Sequence, residues 1–288
     1  MLNIITDYSF LSVAVGTMMF ALASSFVGSV SVLTRQSLIG DVIGHASYPG
    51  VILAFMTFES RNPLLLMMGA MLTGLLSYVL VYLIHTHSKQ SYSNALSLVS
   101  ASFFGMGMVL KNLIQGHDRY HNVSQAGLQT YVFGQAAFIQ KSDSYLILAV
   151  SLLVLLLFYL YINSLRLYLF DDCFAQSCGI SILLIKLGQV VLTTTLIAVG
   201  LKIVGAILVS GFLIAPSVFG ILLGKNYKQM LAAGSFMGMS SAFIGSLLSS
   251  SIRGLSTGPA IIICMVVCLT VAFLWKHSKG VKVCLRFF

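Results

Sequence analysis

Asp41 and His45 are the one acid and the one histidine that fall inside a long apolar stretch, away from the ends of such stretches. They lie four residues apart, so on a helix both side chains leave the same face. A carboxylate oxygen beside an imidazole nitrogen suits Mn²⁺, Zn²⁺ or Fe²⁺ better than an ion that seeks oxygen alone. If the stretch spans a membrane, each ionisable group costs roughly 2.5 kcal/mol or more, which makes the pair a functional candidate by default. Two plainer readings fit the same residues. The pair can be a hydrogen bond that serves packing, or Asp41 can cap the start of its helix. Two ligands also leave a coordination shell incomplete, so water, backbone carbonyls or other segments must supply the rest.

Other groups with chemistry are less tightly spaced. His85 and His87 stand two apart, a spacing that diverges on a helix and converges only on a loop. His117, Asp118 and His121 fall in the longest polar stretch, Gln115 to Ser144, where a solvated loop or a first contact for an incoming metal both fit. The five cysteines, Cys173, Cys178, Cys264, Cys268 and Cys284, contain no CxxC pair, so small apolar packing residues is the favoured reading. Phe170 to Ile180, FDDCFAQSCGI, repeats Asp171, Ala175 and Gly179 every four residues. That gives a short helix with a narrow stripe of small residues, Asp near its start and Gly at its end. The sequence from Gly220 to Asn226 is a failed phosphate loop. It has three residues between its glycines where four are needed, and Asn where Ser or Thr would hold magnesium. No HExxH or GxSxG is present, and no second intramembrane acid exists to pair with Asp41, which argues against an intramembrane hydrolase.

The elements that position these groups follow from composition. Of 288 residues, 58% are hydrophobic and 8% charged, whereas a soluble domain carries roughly 25% charged residues. Apolar runs of about 20 residues without strict alternation are membrane helices, because in lipid every backbone group must find an internal partner. The expected spans are 9–33, 38–58, 63–85, 92–112, 143–164, 181–200, 203–223, 229–250 and 258–276. The result is an all-α membrane protein of about nine transmembrane helices (eight to ten), one bundle over 1–288. The count is least secure where two spans meet near Gly200, Leu201 and Lys202. The first ten residues carry Asp7 and no Lys or Arg, the wrong charge for a cleaved signal.

With the N-terminus outside, the inner side receives Arg35, Lys89, Arg166, Lys186, Lys225, Lys228, Lys276, Lys279, Lys282 and Arg286, ten basic residues against six outside. That bias places the C-terminus in the cytoplasm, and it accounts for the net charge of +9 without nucleic acid. Gly40/Gly44, Gly220/Gly224 and Gly234/Gly238 are GxxxG pairs that let helices approach closely. Pro49-Gly50 and Pro216 fall inside spans, where each proline removes a helical hydrogen bond. Such breaks either line a transport path or are tolerated kinks.

Five ordered blocks cover nearly the whole chain: RQSLIGDVIGHASYPG (35–50), LQTYVFGQAAF (128–138), FDDCFAQSCGI (170–180), VGAILVSGFLIAPSVFGILL (204–223) and STGPAIIICMVV (256–267). In these the chain resembles the permease subunits of the zinc/manganese/iron ABC transporters, the ABC-3 family, and more distantly the vitamin B12 and siderophore permeases. The resemblance implies that Asp41 and His45 are metal-pathway ligands. It also implies that the helix at Asp171, Ala175 and Gly179, between spans five and six, docks into an ATPase subunit. The VFGQA wording at Gly134 and Gln135 is closer to manganese/iron-type members than to zinc-type ones. One departure stands out: the later spans offer no further acid or histidine.

The function so implied is a passive permease subunit in the bacterial cell membrane, not an enzyme. It would hold no permanent cofactor and carry a divalent Mn, Zn or Fe ion as cargo. Its expected partners are an ATPase subunit, an extracytoplasmic metal-binding protein, membrane lipid, and a second permease copy or paralogue across a dimer interface. A proton- or sodium-coupled metal carrier working without an ATPase is the rival, and it would need more buried acids than one.

Overall fold

Ten helices carry residues 8–60, 62–115, 141–252 and 255–278, the residues that the computed structural model describes. They are α1 (Tyr8–Leu33), α2 (Ile39–Phe58), α3 (Pro63–His87), α4 (Tyr92–Gln115), α5 (Lys141–Phe170), α6 (Asp172–Ser177), α7 (Ile182–Ile203), α8 (Ala206–Leu223), α9 (Tyr227–Ser251) and α10 (Thr257–Ser278). No strand occurs among the described residues. Eight helices are long and apolar enough to cross a bilayer, and α8 adds a shorter apolar segment over Leu208–Leu223. Each of the nine expected spans coincides with a helix among the described residues, eight of them of spanning length and the seventh, α8, shorter.

The junction near Lys202 lies slightly later than expected. α7 continues through Gly200 to Ile203, and the turn falls at Val204-Gly205. Gly205 has φ +82°, and its N–H bonds back to the Gly200 carbonyl at 3.2 Å. A left-handed residue after the last turn is the usual way a helix ends on glycine. α8 then starts at once, so α7 and α8 stay two elements.

The chain divides into two compact units. The first comprises Met1–Ser37, Gln135–Leu196 and Gly211–Phe288. Its centre is α1, which packs on α5 and on α9, while α9 also packs on α10. Edge-to-face aromatic pairs line α1: Phe26 with Phe158 of α5, Phe10 with Phe243 of α9, and Phe20 with Phe212 of α8. Some polar groups inside this unit are paired across helices, while among the described residues the hydroxyls of Ser24, Ser151 and Ser235 and the Gln189 Oε1 are buried without a hydrogen-bond partner. Gln189 Nε2 donates to the Val27 carbonyl at 2.8 Å, and Ser29 Oγ meets Tyr227 Oη at 3.3 Å. The Gly234/Gly238 pair of α9 seats Pro216 of α8, since a Cβ on Gly234 would stand 2.5 Å from the Pro216 carbonyl oxygen. At one end of this unit, Lys276 Nζ donates to the Leu222 carbonyl at 2.6 Å, so a cation caps the C-terminal carbonyls of α8.

The second unit comprises Leu38–Gly134 and Ile197–Ser210. α2 is its axis, packed by both α3 and α4, which also pack on each other. Buried residues make up 78% of the α2 span but 28% of α3 and of α4, so α2 is the interior helix and its neighbours form the outer wall. Gly50 makes the α2–α3 crossing close: a Cβ there would collide with the Gly69 carbonyl and Thr73 Oγ1. The outward side of α3 presents Leu64, Met68, Leu72, Leu76 and Leu83, an exposed apolar surface.

Candidate functional site

α2 begins at Ile39, with Leu38 at the capping position. Asp41 therefore lies within the first turn and is not the cap residue, which removes the helix-cap reading in its simplest form. A carboxylate there is still favoured by the positive end of the helix dipole. One turn on, His45 Nε2 stands 3.6 Å from Asp41 Oδ1, with side-chain exposures of 29% and 45% for the two residues. That separation is too long for a hydrogen bond. Donors at about 2.0–2.2 Å from a shared metal stand roughly 3.1–3.4 Å apart, so the observed 3.6 Å is close to the spacing of two donors on one ion.

Both side chains face an open cleft of about 330 Å³ within the second unit. One wall is α2, with Leu38, Asp41, Val42 and His45; the other is α4, with Leu96, Ser97, Ser100, Ala101 and Phe104. The cleft leaves room for a cation that keeps part of its hydration shell. Phe104 meets the His45 ring edge-on, with centroids 5.1 Å apart at 74°, and limits the orientations of the imidazole. Tyr48, buried one turn further along α2, packs beside Phe104. The wall of α4 was not legible from residue type, because serines and a phenylalanine in an apolar run look like ordinary packing residues. Only the α2–α4 contact brings them to the acid and the histidine.

The expected helix breaks take a milder form. α2 continues unbroken through Pro49 and α8 through Pro216. Pro49 has no N–H, so the His45 carbonyl, four residues earlier, lacks its helical donor. Gly50 is a close-packing residue against α3, and Pro216 is packed on α9.

His85 and His87 lie in the last turn of α3, exposed and diverging. His85 Nδ1 is 3.4 Å from the Gln90 carbonyl, and His87 Nδ1 is 3.2 Å from the Leu83 carbonyl. They form no joint site. His117, Asp118, His121, the 128–138 block with Gly134 and Gln135, and Lys279, Lys282, Cys284 and Arg286 lie outside the described residues. Cys173, Cys178, Cys264 and Cys268 are free thiols.

A second feature is the six-residue helix α6, which begins as soon as α5 ends at Phe170. Asp171 caps it: its carboxylate accepts from the Phe174 N–H at 2.9 Å. Gly179, at φ +78°, ends it, and the Ile180 N–H returns to the Ala175 carbonyl at 3.1 Å. Ala175 is fully buried while Phe174 is 54% exposed. Asp171, Asp172, Cys173 and Gln176 are exposed as well. The stripe thus narrows to one alanine that anchors the helix, and the rest of its surface is open.

Residues 7–276 match the ABC 3 transport family. The zinc transport system membrane protein TroC of Treponema pallidum is 32% identical, over 98% of this chain and 93% of that protein. The manganese transport system membrane protein MntC of Bacillus subtilis is 32% identical, over 93% of this chain and 61% of its own greater length. Among solved structures, PsaBC from Streptococcus pneumoniae in complex with Fab shares the fold, with a TM-score of 0.82, 24% identity and 94% of each chain covered. The chain belongs to the ABC 3 transport family, as a multi-pass membrane permease and not an enzyme.

Proposed function

We propose that the chain is the membrane-spanning permease subunit of an ATP-driven importer of a divalent transition-metal ion, with Asp41 and His45 as ligands on the ion's path. The observation that carries this is the cleft beside the pair, where a carboxylate and an imidazole 3.6 Å apart share one open, mostly apolar space on the most buried membrane helix of the second unit. The relatives named for zinc and manganese transport support the class of cargo. Manganese is favoured over zinc or iron, on the Gly134-Gln135 wording and on a cleft lining without thiols. Pro49 contributes by leaving the His45 carbonyl open to water or to the ion. Pro216 is a packing residue with no direct part.

The same reading gives α6 the role of coupling helix, within a single permease domain of residues 1–288. Its open surface, with Phe174 projecting from it, fits contact with an ATPase subunit that supplies the phosphate chemistry absent here. Arg35, Lys225, Lys228 and Lys276 support an outside N-terminus. The Ser29–Tyr227 and Lys276–Leu222 contacts gather the helix ends beside them at one end of the first unit. An extracytoplasmic metal-binding protein delivers the ion to a permease dimer, a second copy or a paralogue. ATP-driven closure of the ATPases then moves α6, and the path past Asp41 and His45 opens inward.

The deciding experiment is purification of the complex from cells, followed by ATPase assays with Mn²⁺, Zn²⁺ and Fe²⁺ and the metal-binding protein. Co-purification of an ATPase whose turnover rises with one of these ions is expected. A chain that purifies alone and moves metal on a proton or sodium gradient overturns the proposal.

A further inference from the structure

The α4 wall of the cleft carries two hydroxyls that no reading of the sequence singled out. Ser97 and Ser100 line the same space as Asp41 and His45, from the opposite helix. Ser97 Oγ donates its hydrogen back to the Ser93 carbonyl at 3.1 Å. With its proton so engaged, the oxygen has only lone pairs to offer the cleft, which suits a cation and not an anion. Ser93, Asn94 and Ser97 are exposed in the first two turns of α4, and Ser102 is exposed further along it. Polar groups on a membrane helix are tolerated where they face water, a partner or a site. The cleft supplies that setting for Ser97 and Ser100.

We infer that Ser97 and Ser100 are oxygen ligands, direct or through one water, that complete the shell begun by Asp41 and His45 and set its preference between metals. The inference rests on the ligand reading of those two residues. One carboxylate, one imidazole, two hydroxyls and retained water make an oxygen-rich set with room for six donors. Mn²⁺ accepts such a set, whereas Zn²⁺ favours four tightly held nitrogen or sulfur donors. No thiol lines the cleft. The hydroxyls therefore act as specificity determinants: they add little to holding a tetrahedral ion and much to holding a six-coordinate one.

The test uses the permease reconstituted with its ATPase and metal-binding protein, with Mn²⁺ and Zn²⁺ supplied singly and in competition. The double variant Ser97→Ala/Ser100→Ala is expected to raise the half-saturating Mn²⁺ concentration about tenfold. The effect on Zn²⁺ should be smaller, so the Mn/Zn preference falls. Ser97→Thr/Ser100→Thr keeps both hydroxyls and restores the preference. The inference is overturned if the alanine pair leaves the preference unchanged, or if both metals lose equally and threonine fails to rescue. Asp41→Ala and His45→Ala are assayed in parallel. If they too transport normally, the ligand reading itself has failed; if they abolish transport while the alanine pair changes nothing, only the serine assignment falls.

Discussion

At the residue scale, His45 is held between a charge and a ring. Asp41 stands one turn before it and Phe104 meets it from α4. Phe104→Leu removes the edge-to-face contact without emptying the wall. Such contacts carry about 0.5–1.5 kcal/mol, so Mn²⁺ affinity of the purified complex should fall roughly two- to tenfold, with assembly intact. An unchanged affinity would show that the ring does not orient the imidazole. The i, i+4 spacing made Asp41 and His45 legible in the sequence, because both lie on one element whose period is known. Ser97, Ser100 and Phe104 were not, since their meeting with the pair depends on how α4 packs on α2. A single run such as LSLVSASFF carries no mark of that register.

At the scale of elements, glycine content reads clearly only once the neighbours are known. A Cβ on Gly50 would meet backbone of α3, while one on Gly105 of α4 meets nothing within 4 Å. Gly50→Ala should therefore destabilise by about 1–3 kcal/mol through overpacking. Gly105→Ala should be neutral or stabilise by up to about 1 kcal/mol through helix propensity. Thermal unfolding of the two variants in detergent separates them, and equal melting points would contradict the described α2–α3 crossing. The short helix α6 offers a second check. Asp171→Ala loses a cap worth about 1 kcal/mol, whereas Asp172→Ala keeps it. ATPase stimulation in the assembled complex should drop in the first variant more than in the second; the reverse order would argue against a coupling role. Asp171 and Gly179 were legible as start and stop signals because capping is local chemistry. The α7–α8 turn lies a few residues beyond the boundary expected near Gly200. The apolar run continues past Gly200, and only a left-handed conformation at Gly205 ends it.

For the whole molecule, composition alone carried the class, since a chain with 8% charged residues has no means of covering a water-exposed surface. Sidedness is testable with the protein's own thiols. Cys173 and Cys178 on and beside α6 are exposed, while Cys264 and Cys268 sit half-buried in α10. In a Cys284→Ser background, an impermeant maleimide should label α6 in inverted vesicles and spare it in intact cells. Labelling from outside would invert the topology and remove α6 from reach of a cytoplasmic ATPase. The central claim is that ATP drives a divalent metal past Asp41 and His45. It is tested most directly by uptake of radiolabelled Mn²⁺ into proteoliposomes holding the complete complex, with ATP on the α6 side. ATP-dependent uptake is expected for the native complex, with a loss on the order of 100-fold in Asp41→Ala and His45→Ala complexes that still assemble. Native rates in both variants, or uptake indifferent to ATP, would contradict it.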